Sequence, residues 1–366
     1  MHTETSGDYD FVIVGQGLAG TCLAWQLIWR NQRLLIVDRD EKVTSSRVAA
    51  GLMTPITGQR LVTSWRWDLL WPQAHEFYRK IETLTGTPCL HPQRIVRLLS
   101  NPLEQEFLDL RISGDSRRLI HRPTPLLESE KFNEGIGGFE MSEGGRLDVA
   151  AFLDSSRQWF RRDGYFKAVD LDLKEGVAVR SSHVQLPSLG ATARRVIFCQ
   201  GIAAQSNPWF PHVIFRPAKG EILTVHVPGL AEQRIVSRGV WLMPIGNDLF
   251  RTGATYDWQE LNCVPTEAGR EEICSRLREF LRLPFTVVEH QAAVRPILRH
   301  QYPALGVHAI HSQLCYFNGL GSKGSLQAPG LSAMFAGFLT GANDLDSAVD
   351  LHHYDRRLVD PAGDRP

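Results

Sequence analysis

Residues 10–38 constrain this chain more than any other stretch: Asp10-Phe-Val-Ile-Val-Gly15-Gln-Gly17-Leu-Ala-Gly20, an amphipathic run, then Leu34-Leu-Ile-Val-Asp38. Phe11–Val14 is a short apolar run of the kind buried in a parallel strand. Gly15 permits a tight turn, Gly17 lets the backbone approach a pyrophosphate, and Gly20 lets the following helix sit close to the sheet. The helix N-terminus then offers free N–H groups and a positive dipole end to phosphates. Asp38, closing a second apolar strand, is placed to hydrogen-bond ribose hydroxyls, and its charge disfavours the 2′-phosphate of NADP. A glycine triplet alone says little. Strand, glycines, helix and acid together specify a dinucleotide, either FAD or NAD.

At 366 residues the chain exceeds one small core, so two domains are expected. Forty basic residues balance forty acidic ones, which gives no global field for nucleic acid or an anionic membrane. The six cysteines (22, 89, 199, 263, 274 and 315) form no CxxC pair and read as reduced thiols. His290, His300 and His308 lack metal-ligand spacing and read as structural, so no metal is expected. No apolar run approaches the ~18 residues of a membrane helix. The N-terminal MHTETSGDYD is polar, lacks a targeting core and reads as a short loose leader, so a cytoplasmic location is expected.

Further along, Ser45–Gly58 is small and glycine-punctuated, able to lie against a flat ligand. Trp67, Leu70, Trp71, Ala74, Tyr78 and Ile81 recur at helical spacing, with the tryptophans read as core and Pro72 as a bend or second start. A charged helix is expected near Glu104–Ile112, and another over Val149–Arg161 with Asp148 as N-cap. Tyr165–Leu171, Val177–Val179, Val184–Leu186 and Arg195–Gly201 read as strands, the last ending in glycine. Lys219–Val225, Val240–Pro244 and Leu249–Ala254 suggest an antiparallel sheet. A helix over Glu267–Leu281 and a strand near Phe285–His290 follow. Leu314–Gly324 returns to strand and glycine turn, and a closing helix spans roughly Ala328–Gly341. The nucleotide fold is interrupted near residue 85 and resumes near 145.

In this order the segments resemble the D-amino-acid oxidase superfamily of FAD-dependent oxidoreductases, most closely its glycine oxidase-like members. The motifs are Val14-Gly-Gln-Gly-Leu-Ala-Gly20 with Asp38, Ser45-Ser-Arg-Val-Ala-Ala-Gly-Leu52, Val196-Ile-Phe-Cys-Gln-Gly201 and Pro217-Ala-Lys-Gly-Glu221. Trp241-Leu-Met-Pro244, Thr252-Gly-Ala-Thr255, Val294-Arg-Pro296 and Asn318–Pro329 complete them. The resemblance implies an α/β fold: a Rossmann-like FAD-binding domain of the glutathione-reductase type, interleaved with an α+β substrate domain carrying an antiparallel sheet. Residues 1–85, 145–215 and 296–366 would form the first domain, and 86–144 with 216–295 the second. It also implies noncovalent FAD, since neither Cys315 nor Ser45-Ser46-Arg47 matches the flavin-attachment motifs of relatives. The cofactor would meet Gly15, Gly17, Leu18, Ala19, Gly20, Asp38 and Arg39 in the fingerprint. Ser45, Ser46, Ala49, Ala50, Gly51, Leu52, Val169, Cys199 and Gly201 would follow, then Arg295, Gly319, Leu320, Gly321, Ser322, Lys323 and Gly324.

An amine oxidase of this kind orients its substrate chiefly through the substrate carboxylate, and arginine binds carboxylate bidentately. Arg295 matches the family's carboxylate-binding arginine. Trp241 stands where the family often has Tyr, which points to a larger or differently shaped amine. Lys323 would place a cation near the flavin N1–C2=O locus, and Ser322 would face the substrate. Arg251, Tyr256 and Arg299 lie near motif segments and are candidates to line the pocket, with solvated faces the preferred reading. The resulting expectation is oxidation of the C–N bond of an amino acid or secondary amine to an imine, with oxygen or another electron acceptor. The competing readings are a tRNA-modifying oxidase acting on carboxymethylaminomethyl uridine, a flavin-binding protein without turnover, and an NAD dehydrogenase. The charge balance weighs against RNA.

Overall fold

The computed structural model describes residues 8–354; the polar leader expected ahead of the first strand falls on residues 1–7, outside the described residues, as do residues 355–366. Strands Asp8–Val14 and Leu34–Asp38 pair in parallel, and Phe166–Ala168 extends them on one side, Ala191–Phe198 on the other. The last of these is shared. Its first half pairs with the Val184–Leu186 hairpin strand, while its second half runs parallel to Leu314–Asn318. Side-chain alternation explains why the central strands are apolar throughout: Phe11, Ile13, Leu34 and Ile36 enter one core, whereas Val12, Val14, Leu35 and Val37 enter the other.

Helices cover this sheet. Leu18–Ile28 packs against the closing helix, Gly324–Leu339, and so brings two helix starts side by side. That closing helix begins at Gly324 rather than near Ala328, so the glycine turn abuts it directly. Val149–Arg162 forms where expected, with Asp148 accepting from the Ala151 N–H at 3.0 Å. Pro72 does not divide its helix, which runs unbroken over Trp67–Thr85. Trp67 is buried in the core and stacks on Trp71 at 5.1 Å.

A second eight-stranded sheet follows the order Thr286–Arg295, Ala218–His226, Leu249–Gly253, Val240–Gly246, Ile235–Arg238, Ile95–Leu98, Gly138–Met141 and Ile120–His121. It is antiparallel except where Ile235–Arg238 runs parallel to Ile95–Leu98. One face, including Leu223, Val225 and Phe250, packs on Ile273 and Leu277 of helix Glu267–Arg278. The opposite face carries Ile222 and Ala293, which pack with Val48 from the Ser45–Leu52 loop. The antiparallel sheet also shares the main core with the first, through Ile95, Phe139, Met141, Ile235 and Met243, and the Val48 contact forms an apolar seam beside a cavity. A small sheet of Leu52–Met53, Gly145–Leu147 and Leu90–Pro92 closes the seam at one edge. No helix among the described residues is long and apolar enough to cross a membrane.

Candidate functional site

A cavity of about 530 Å³ runs from the C-terminal ends of the first two parallel strands to the face of the antiparallel sheet. Its position follows the general rule that ligands of open α/β sheets lie beyond the carboxyl ends of the strands. All the expected cofactor and catalytic residues line it except Gly20 and Gly319. Those two serve packing. A Cβ on Gly20 would collide with the Gly15 carbonyl, and one on Gly319 would lie 2.5 Å from the Leu298 side chain.

The lining fits a dinucleotide in two ways. Gly15 has φ +105°, and a Cβ there would lie 2.5 Å from the Cys199 carbonyl oxygen, so only glycine lets these two main chains meet. Charge complementarity is the second. Helices Pro102–Ile112, Val149–Arg162 and Glu267–Arg278 are capped by the side chains of Asn101, Asp148 and Thr266. Helices Leu18–Ile28 and Gly324–Leu339 begin at the cavity and have neither a cap from the N-cap side chain nor an acid in the first turn, whereas the short Ser45–Val48 helix there is capped by Thr44. The Leu18 N–H donates to the Ser46 hydroxyl at 3.2 Å, and the remaining first-turn N–H groups suit phosphate and carbonyl oxygens.

Asp38 is held more tightly than a free ribose ligand. One oxygen accepts from the Gln16 N–H at 2.7 Å; the other accepts from the Asp40 N–H at 2.8 Å and from Arg157 at 3.3 Å. Arg157 also donates to the Gln16 and Asp40 side chains. Arg157 escaped the sequence reading, although its place on the buried face of the Val149–Arg162 helix is a signal in itself. Burial pushes the Cys199 thiol up, so it stays protonated in the cavity wall.

At the antiparallel sheet, the edge strand runs on to Arg295 instead of ending near His290, which brings that residue opposite Ala218. Arg295 Nη1 donates to the carbonyls of Lys219 and Thr255, at 3.3 and 3.2 Å. Its guanidinium carbon lies 4.1 Å from the centroid of the Tyr256 ring. Burial pushes its pKa down, yet no carboxylate among the described residues pairs with it. An arginine stays charged, so the cavity holds an uncompensated cation. Half-buried Trp241 lines the same region, and Ser322 is exposed at its edge.

Of the residues expected to be solvated, Tyr256 is 48% exposed yet also borders the cavity, whereas Arg251 is part-buried. Tyr256 lines the cavity over Arg295. Arg251 donates to the carbonyls of Val48 and Ala49, at 2.7 and 3.1 Å, and ties the antiparallel sheet to the Ser45–Leu52 loop. Arg299 is exposed, as expected.

Lys323 Nζ donates to the Thr57 hydroxyl at 3.1 Å, and burial pushes its pKa down to about 8 from an ordinary 10.5. Between those values the unfolded chain binds the proton and the folded chain does not, so stability rises with pH. The FAD-free protein should gain about 3 kcal/mol across that window, and Lys323→Met should abolish the gain. Urea unfolding of both proteins from about pH 8 to 10.5 measures it; identical pH dependence in the two would contradict the assignment.

Comparison with known proteins places this geometry. The bifunctional protein ThiO/ThiG of Trichormus variabilis is 23% identical over 377 residues, covering 95% of this chain and 55% of that protein. The tRNA 5-methylaminomethyl-2-thiouridine biosynthesis bifunctional protein MnmC of Burkholderia pseudomallei is 22% identical over 312 residues, covering 74% of this chain and 43% of that protein. The chain thus spans about half the length of the curated relatives it matches. Among solved structures, glycine oxidase from Geobacillus kaustophilus superposes with a TM-score of 0.76 at 19% identity, covering 92% of this chain and 96% of that one. Iminodiacetate oxidase from Chelativorans sp. BNC1 gives 0.74 at 18% identity, covering 93% and 98%. These likenesses establish the fold. The family model for FAD-dependent oxidoreductases matches residues 10–337, and the chain belongs to that family.

Proposed function

We propose that this enzyme oxidises the C–N bond of an amino acid or secondary amine to an imine, which water hydrolyses to a carbonyl compound and a free amine. The observation that carries the reading is Arg295, a buried guanidinium without a carboxylate partner among the described residues, facing a cavity shared with the fingerprint. In this reading Arg295 takes the substrate carboxylate and thereby fixes which C–H bond points into the cavity. Bound FAD supplies the acceptor for a hydride at N5 of its ring. Trp241, Ile222 and Ala293 form an apolar wall that keeps water from the reacting carbon.

Among the described residues, the acids lining the cavity are Asp38, Glu41 and Asp170, at the fingerprint end, and no histidine lines it. Proton removal from the substrate amine therefore falls to solvent. Arg295 and Lys323 assist, because a nearby positive charge disfavours an ammonium and favours the reactive free base. Residues 1–85, 145–215 and 296–366 serve in this proposal as the cofactor domain, and 86–144 with 216–295 as the substrate domain. Electrons leave to oxygen or to another acceptor.

The test is turnover by the FAD-loaded protein over glycine, sarcosine, D- and L-amino acids and N-alkyl amines, with carbonyl and amine products assayed together. Equal yields of both from at least one substrate are expected. The match to a tRNA-modifying relative adds tRNA bearing carboxymethylaminomethyl uridine to the panel. Turnover of that tRNA alone would replace the small-molecule reading, and no turnover anywhere would refute both.

A further inference from the structure

Gly220 lies in the middle of the site without serving any turn. It sits inside strand Ala218–His226, paired with Ala293, and its φ is outside the left-handed range. The backbone there would accept alanine. What forbids a side chain is Arg295: a Cβ on Gly220 would coincide with Cζ and both Nη atoms of the guanidinium. The flat group thus lies directly on the bare strand. The Tyr256 ring, 48% exposed, lies over the guanidinium with its centroid 4.1 Å from Cζ. Within the plane, Nη1 is fixed by the carbonyls of Lys219 and Thr255. Nη2 and Nε meet no acceptor among the described residues.

The loop that carries Tyr256 is itself pinned to the same strand. Lys219 and Asp257 exchange backbone hydrogen bonds of 2.7 and 3.0 Å. On the far face of the sheet, the fully buried Lys219 ammonium donates to Asn262 at 3.1 Å, at the other end of that loop. Glu221 accepts from the Thr266 N–H and hydroxyl at 2.9 and 2.8 Å, and pairs with His290 at 2.7 Å. An unrestrained arginine would give up roughly 2 kcal/mol of rotamer freedom on binding. Here that freedom is removed before any ligand arrives.

Resting on the reading of Arg295 as carboxylate anchor, we propose that Gly220 and Tyr256 are positioning residues that clamp its guanidinium so that Nη2 and Nε present one fixed fork to the substrate. The empty side-chain position and the aromatic lid act together. Neither touches the reacting atoms.

The experiment titrates propionate, and propionamide as its neutral isostere, into FAD-loaded protein and follows the visible absorbance of the bound flavin. Wild type should prefer propionate. Gly220→Ala should weaken propionate by about 10- to 100-fold, the loss of about one hydrogen bond to a charged group. Propionamide affinity and flavin content should not move. Tyr256→Ala should weaken propionate by roughly 2- to 30-fold, the range of a cation–π contact, and Tyr256→Phe should restore it. Propionate binding within about twofold of wild type in Gly220→Ala, while Arg295→Ala loses it, would overturn the clamp and leave the anchor standing. Unchanged propionate binding in Arg295→Ala would remove the anchor, and the clamp with it. If Gly220→Ala does not retain FAD, the Tyr256 pair decides: wild-type binding in both variants overturns the proposal.

Discussion

Arg295→Ala should lower kcat/KM for amino-acid substrates by on the order of 100-fold or more, almost entirely through KM, with FAD retained. Removing one partner of a buried, hydrogen-bonded charge pair costs about 2–5 kcal/mol, because the other charge is left without compensation. In the free enzyme the effect is reversed. Burial pushes the Arg295 pKa down and no acid among the described residues pairs with it, so its removal should leave stability unchanged or slightly raised. Loss of function with gain of stability is the mark of a residue kept for its ligand. Steady-state kinetics and thermal unfolding of the same preparation separate the two effects. Unchanged KM, or collapse of the fold, would contradict the assignment.

Gly15→Ala should yield protein without FAD. The added methyl meets the Cys199 carbonyl oxygen at 2.5 Å and its carbon at 2.9 Å, both main-chain atoms that cannot swing aside. Holding a non-glycine residue at φ +105° adds strain of about 1–3 kcal/mol. Relief requires the strand end and the Cys199 turn to separate. That movement shifts the start of helix Leu18–Ile28 and the N–H groups it offers to phosphate. The variant should purify colourless, and added FAD should raise its Tm far less than that of FAD-free wild type. A yellow variant with stoichiometric flavin would contradict this role for the turn.

What the sequence made legible divides along contact distance. The fingerprint was readable because strand, turn, helix and acid are neighbours in the chain and each demand falls on a glycine, an apolar run or a carboxylate. Arg295 was readable through its Arg-Pro motif. Arg157 was not, since its partner Asp38 lies 119 residues away and only the fold brings them together. The same holds for Arg251, which reaches Val48 across 203 residues. Tyr256 is 48% exposed, in keeping with a solvated residue, and its stacking on Arg295 comes from the loop after strand Leu249–Gly253, which the Lys219–Asp257 backbone hydrogen bonds hold in place. Element ends were missed for related reasons. The closing helix starts at Gly324, whose opening Gly-Ser pair has weak helical preference but is buried against its neighbours. The substrate strand extends past His290 because pairing with Ala218–His226 continues to Arg295.

In the proposed function, a carboxylate-bearing amine reduces the bound flavin in this cavity. Anaerobic mixing of the FAD-loaded protein with the best substrate of the turnover panel, and separately with its methyl ester, tests it most directly. The free acid should bleach the flavin absorbance fully, and the ester, which offers Arg295 no charge, should do so far more slowly. A flavin that dithionite reduces but no amine in the panel bleaches would contradict the account.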